Sequence, residues 1–303
     1  MSPVTRWRLF TVAMLVASAC FPSLDDLTGG DGGSDAMTDA SFEASADVSA
    51  SDVGSDTVDA GPCPSLHGPA MVFVPTSSGG FCIDSTEVTT TDYAEFVTAV
   101  GLGAPVAAPA DGVCQWNTSV VPMNNGSYNC TPDWTDSQMH PNRPIACIDW
   151  CDAYAYCAWA GKRMCGAIDG GVLAFASVIN PTNQAYVACS KNATQTFPYG
   201  STYVKGNCNT KDLYEGGTPM VGDVGSFTNC VGGFPGLYDM AGNVEEWLDS
   251  CNVQNEGGAN DNCHENADSF NYVPSQGYAH CDNTDSDYRN LRSWDIGIRC
   301  CSP

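Results

Sequence analysis

Cysteine is the residue of this 303-residue chain best suited to chemistry, and there are seventeen. Thiolates attack electrophiles, bind soft metals or pair as disulfides, and their spacing separates these uses. Cys20 stands apart, and the other sixteen lie between Cys63 and Cys301. No C-x-x-C pair occurs: Cys147 and Cys151 are four apart and Cys300 and Cys301 are adjacent, so the paired-ligand spacing of a zinc site is missing. Sixteen cysteines, an even number, imply up to eight disulfides in an oxidising compartment, with connectivity left open. The four histidines (His67, His140, His264 and His280) are scattered singly, the pattern of ordinary exposed or capped side chains, and no G-x-S-x-G nucleophile motif is present.

The start of the chain explains why Cys20 stands apart. Arg6 and Arg8 precede an apolar run from Leu9 to Ala17 and then Ala17-Ser18-Ala19, a secretory signal over residues 1–19 that is too short to span a bilayer. Two readings of its end remain open. Ala17-Ser18-Ala19 suits ordinary signal peptidase, and Ala-Ser-Ala-Cys resembles a bacterial lipobox in which Cys20 is acylated. The second accounts for the odd cysteine and anchors the protein to the cell envelope, at the outer membrane or surface; the first makes it secreted.

Charge is uneven as well as large, with a formal net charge of −24. Residues 20–62 hold nine Asp, one Glu and no Lys or Arg, with scarcely any large apolar side chain, so they are expected to be a disordered, self-repelling tether. Residues 63–303 carry 25 acidic and nine basic side chains, and form the folded domain. Such a surface repels nucleic acid and anionic headgroups and offers oxygen ligands to divalent cations.

Within that domain, Met71–Pro75 and Gly80–Asp84 read as strands joined by a turn. Thr90 is expected to cap a helix beginning near Thr91, with Tyr93, Phe96, Val97 and Val100 on one face and Gly101 as its stop. A second helix follows Asp149, with Asp152 in its acidic first turn and a stripe of Trp150, Ala153, Tyr154, Cys157 and Ala158, ending at Gly161. Beyond it, Gly, Asn, Ser and Thr predict long loops pinned by disulfides rather than further helices. No internal repeat is visible.

Four segments, in order, resemble the formylglycine-generating (sulfatase-modifying factor) family: MVFVP…FCIDSTEVTTTDYAEFV, RPIACIDWCDAYAYCAWAGKR, GLYDMAGNVEEW and the closing GIRCC. The resemblance implies an α+β, C-type-lectin-like fold that is loop-rich and disulfide-stapled, in a cysteine-rich lipoprotein branch. It also implies structural calcium held by the side chains of Asp239 and Glu246 and the carbonyls of Gly242 and Val244, with Glu87 nearby. A second calcium position would fall on Asn209 and Thr210, with Asp212 and Tyr214. Carboxylates and carbonyls from a tight turn suit that hard cation.

Catalysis in the family rests on two cysteines, five residues apart, that bind copper after an Arg-Gly-Gly-Ser-Phe motif. The corresponding stretch here is Asn266-Ala267-Asp268-Ser269-Phe270, and the cysteine positions fall on Tyr272 and Gly277. Cys281 better matches a later family cysteine and is expected in a disulfide, so copper loses its ligands. The three-histidine iron site of ergothioneine-type relatives is not matched either.

The expected function is therefore a surface-exposed, non-catalytic binding module for an extracellular protein, peptide or glycan. Two alternatives stand beside it: a copper-dependent oxidoreductase converting a substrate cysteine to formylglycine, and a structural envelope lipoprotein. Candidate contact loops are Ala104–Met139, with Trp116 and Trp134, and Asn252–Asp287.

Overall fold

The computed structural model describes residues 62–101, 112–122, 130, 140–215, 220–252, 258–266 and 278–302. The signal segment, Cys20, nearly all of the acidic tether, Trp134 and parts of both candidate contact loops lie outside them. The chain divides into units 1–55 and 56–303, and the second holds every described element. No helix among the described residues is long and apolar enough to cross a membrane.

Strands β1 (Met71–Thr76) and β2 (Gly79–Asp84) form the expected hairpin, registered Met71 opposite Asp84 and Thr76 opposite Gly79. Gly80 is required there. At φ 143°, a Cβ would stand 2.5 Å from the Phe73 ring and 2.6 Å from the Val74 carbonyl. The hairpin belongs to a sheet ordered β1-β2-β8-β3, closed by β8 (Cys300–Ser302) and β3 (Arg163–Met164). A second sheet is ordered β6-β5-β4-β7, from β4 (Glu245–Asn252), β5 (Asn262–Asn266), β6 (Thr284–Tyr288) and β7 (Ile296–Gly297), with β7 parallel to β4.

Helix α1 spans Thr90–Val100, and its cap is Thr89 rather than Thr90. Among three consecutive threonines, Asp92 decides: the Thr89 hydroxyl accepts from Asp92 N at 3.1 Å while Asp92 Oδ2 accepts from Thr89 N at 3.0 Å, a reciprocal pair that needs a spacing of three. Helix α2 (Trp150–Trp159) begins as expected at Asp149 with the same box to Asp152. Its buried surface is wider than one stripe: Cys151, Asp152, Ala155 and Tyr156 are buried too, while Ala158 is exposed. The cause is contact on several sides, with Cys151 bonded to Cys114, Cys157 bonded to Cys300, and Arg292 Nη2 2.6 Å from Asp149 and 2.8 Å from Asp152 at the N-terminus.

The chain beyond Gly161 holds more regular structure than loops alone. Helix α3 (Gln184–Ser190) starts where Asn183 Oδ1 accepts from Ala185 N and Tyr186 N, and 3-10 turns cover Phe175–Ser177 and Lys211–Tyr214. One core cluster joins α1, α2 and Trp247, with Tyr93 stacked on Tyr156; Trp116 packs against it and donates Nε1–H to Val113 O. A second joins β2, α3, Leu237, Met240 and Leu248.

All sixteen domain cysteines pair: 63–82, 114–151, 130–147, 157–300, 165–301, 189–281, 208–230 and 251–263. Successive strand residues face opposite sides, so adjacent Cys300 and Cys301 reach opposite layers: Cys300 sits in the first core cluster and Cys301 in the second.

Candidate functional site

The segment from Asp239 to Asn243 coils through the left-handed region, with Asp239 at φ 52°, Gly242 at 88° and Asn243 at 67°. Only glycine fits at 242, where a Cβ would meet Asn209 O at 2.7 Å. The coil docks on the neighbouring loop, Asn243 N donating to Asn209 O at 2.8 Å. It leads directly into β4, which carries Glu246 into the interior.

Glu87, Asp239 and Glu246 converge on Arg299, the residue before β8. Arg299 Nε donates to Glu246 Oε1 at 2.9 Å, Nη2 donates to the carbonyls of Tyr238 and Asp239, Nη1 donates to Asp84 O, and Glu87 Oε2 lies 4.0 Å from Nη2. All four side chains are buried. Burial holds the carboxyls above their usual range, Glu87 well above it with Asp239 and Glu246 adding repulsion, and Asp239 at about 6; Arg299 acts against each rise.

Asn243 joins this cluster to the second expected set. Its Nδ2 donates to Glu87 Oε1 at 2.9 Å, and its Oδ1 accepts from Asn209 Nδ2 at 2.9 Å and Gly222 N at 2.8 Å. Asn209 Oδ1 in turn accepts from Tyr214 OH at 2.7 Å. The hydroxyls of Thr210 and Tyr203 both donate to Asp212. The structure thus brings Asn209, Thr210, Asp212 and Tyr214 together, with their side-chain oxygens engaged in hydrogen bonds.

The first cluster fits a divalent cation in charge. Three carboxylates against one guanidinium leave two negative charges in excess when all are ionised, and Glu87 Oε2 is buried without a hydrogen bond. Part of the donor set is engaged: Glu246 Oε1 by Arg299, and Asp239 Oδ2 by Gly225 N at 2.5 Å. Among the described residues no three His, Cys, Asp or Glu side chains stand ready to coordinate an ion. The central role of Arg299 was missed in the sequence. Its signal was a basic side chain between Ile298 and Cys300, in a domain with few basic residues.

Tyr272 and Gly277 lie outside the described residues. Cys281 is bonded to Cys189. The histidines remain separate: His67 packs on Trp159, His264 on Phe175 and His280 on Phe197, and His140 is exposed.

The sulfatase-modifying factor enzyme 1-like domain family matches residues 70–302, nearly the whole folded unit. The chain belongs to that family. Within the sulfatase-modifying factor family, it is 26% identical over 196 residues to the formylglycine-generating enzyme of Mus musculus, covering 55% of this chain and 48% of that protein. To the enzyme of Thermomonospora curvata it is 27% identical, covering 55% and 58%. A Bos taurus relative named inactive C-alpha-formylglycine-generating enzyme 2 is 30% identical over 118 residues, 35% of this chain and 33% of that protein. The chain thus spans about half the length of the first two relatives, and the family includes both active and inactive members. Among solved structures, PvdO from Pseudomonas aeruginosa is similar at 19% identity and TM-score 0.43, covering 78% of this chain and 90% of that one. CarF is similar at 17% and 0.42, covering 74% and 87%. The mixed α+β layout with sparse helices is that of a sulfatase-modifying factor domain, and eight disulfides staple it in this chain.

Proposed function

We propose that this chain is an exported, envelope-anchored, non-catalytic member of the family that binds an extracellular protein, peptide or glycan. The supporting observation is that every described cysteine is committed to a disulfide. Copper-dependent oxygen activation on thiolates needs free cysteines, and the sequence has Tyr272 and Gly277 where the resemblance puts them. Eight disulfides also suit an oxidising exterior, and Cys20 supplies the lipid anchor. Structural calcium belongs to the same reading, with Asp239, Glu246 and the carbonyls of Gly242 and Val244 as the residues to hold it; it would neutralise buried charge and stiffen the turn.

Thiol titration of the purified domain, together with Cu(I) binding and oxygen uptake by the folded protein in the presence of a cysteine-containing peptide, tests this. The expected result is no reactive thiol in residues 63–303 and no oxygen uptake. Two reactive thiols with tight copper binding and oxygen consumption would overturn it. For the anchor, Cys20→Ser is expected to release the protein from membranes, and continued membrane association would refute acylation.

A further inference from the structure

One groove, of about 560 Å³, has a charge unlike the rest of the domain. Twenty-five acidic side chains are spread over residues 63–303, yet among the described residues none lines this groove, and Lys191 is the one charged residue that does. Around it stand Gln195, Tyr199, Asn207, Asn229 and Pro235.

Two disulfides set the geometry of the lining. Asn207 and Asn229 each precede a member of the bonded pair Cys208 and Cys230, whose Cα atoms are 4.7 Å apart, so the disulfide ties together the two segments that bring these asparagines to the groove. Among the described residues neither side chain has a hydrogen-bond partner, and the buried Gln195 Oε1 has none either. Another part of the lining follows Cys189, bonded to Cys281. There Lys191, Asn192 and Ala193 run through the left-handed region at φ 52°, 58° and 61°, three consecutive non-glycine residues in a conformation that side chains resist. Asn192 N donating to Val187 O at 3.0 Å and Ala193 N donating to Ser190 Oγ at 2.9 Å hold the run. Lys191 is the left-handed C-cap of α3 and lines this groove, while Asn192 Nδ2 donates to Pro75 O at 3.2 Å.

Tyr199 supplies a fixed flat face. Its ring stacks on the buried Phe197, with centroids 5.7 Å apart and planes 11° apart, and its hydroxyl accepts from Val204 N at 3.2 Å. An aromatic face, uncommitted carboxamides that both donate and accept, and one ammonium match a ligand with apolar C–H faces and many hydroxyls. A phosphate or sulfate would want more than one cation, and nucleic acid is repelled by the surrounding acidic surface.

We propose that this groove is a saccharide-binding site, for a neutral sugar chain or one bearing isolated carboxylates. The inference rests on the binding-module reading and names its ligand class. The test uses the intact folded chain against a panel of neutral and uronic-acid-containing oligosaccharides, with contact read by saturation-transfer NMR and affinity by calorimetry. Tyr199→Ala is expected to weaken the bound sugar about tenfold. Asn229→Asp, an exposed change that leaves the melting temperature alone, is expected to weaken it as well, and Asn180→Asp in a separate groove to leave it unchanged. Absence of binding by the whole panel at millimolar concentration would overturn the inference, as would binding that ignores both groove variants. A peptide seated in the groove would also overturn it while leaving the binding-module reading intact.

Discussion

Arg299 Nε lies 2.9 Å from Glu246 Oε1, with both side chains sealed from solvent. Among the described residues the guanidinium is the one cation facing Glu87, Asp239 and Glu246 together, and its remaining N–H groups hold main-chain carbonyls on β2 and on the 238–239 turn. Arg299→Met should therefore cost about 3–5 kcal/mol, because it strands buried carboxylates rather than removing a matched pair. Denaturant unfolding measures this, and a loss below about 1 kcal/mol would show that the cluster does not depend on Arg299.

Calcium should add to what Arg299 does. The melting temperature of the wild-type domain is expected to fall on adding EDTA and to recover with excess calcium. In Glu246→Ala the EDTA effect should vanish, whatever the variant's starting stability. Identical melting curves with and without EDTA in the wild type would rule out the ion.

Acidity should stabilise the fold over part of the pH range. Asp84 is fully buried, and burial raises its carboxyl to about 7 although Lys162 Nζ lies 2.6 Å away. A raised carboxyl binds its proton more readily in the folded than in the unfolded chain, so stability falls as pH rises from the ordinary carboxylate range through about 7. The melting temperature should be higher at about pH 5 than at about pH 8. A trend in the opposite direction would contradict the sign.

The helix cap gives a smaller, local test. Thr89→Ala removes the acceptor for Asp92 N and should cost about 1 kcal/mol. Thr89→Ser should retain most of that, and equal losses for the two variants would argue against the capping box.

Features set by near neighbours were legible in the sequence. Asp149 and Asp152, three apart before an apolar run, locate α2, and Gly101 marks the stop of α1. Three consecutive threonines blurred the start of α1 by one residue, because the deciding partner is a single aspartate. Strand β4 was hidden: Glu245-Glu246 does not read as strand, and the pairing that makes it one, to β7, comes from far along the chain. Helix α3 was hidden by its seven-residue length and by an asparagine cap that reads equally well as loop. The even cysteine count foretold eight bonds, but separations as long as 143 residues kept the partners out of reach of local reasoning. Of the candidate site, the coil around Gly242 was visible as a motif, while its link to Asn209 through Asn243 needed three dimensions.

The adjacent cysteines of β8 also impose an order of assembly. Their partners, Cys157 and Cys165, emerge from the ribosome more than 130 residues earlier and must wait as reactive thiols, since the separations are 143 and 136. Neither layer can be locked until almost all of the domain has been made. Ten other cysteines lie between Cys63 and Cys281 outside these two bonds and the 189–281 pair, and any of them can capture a waiting thiol. Productive folding of this chain is therefore tied to disulfide exchange, and its yield should follow the supply of an isomerase more closely than the intrinsic speed of its helices and strands.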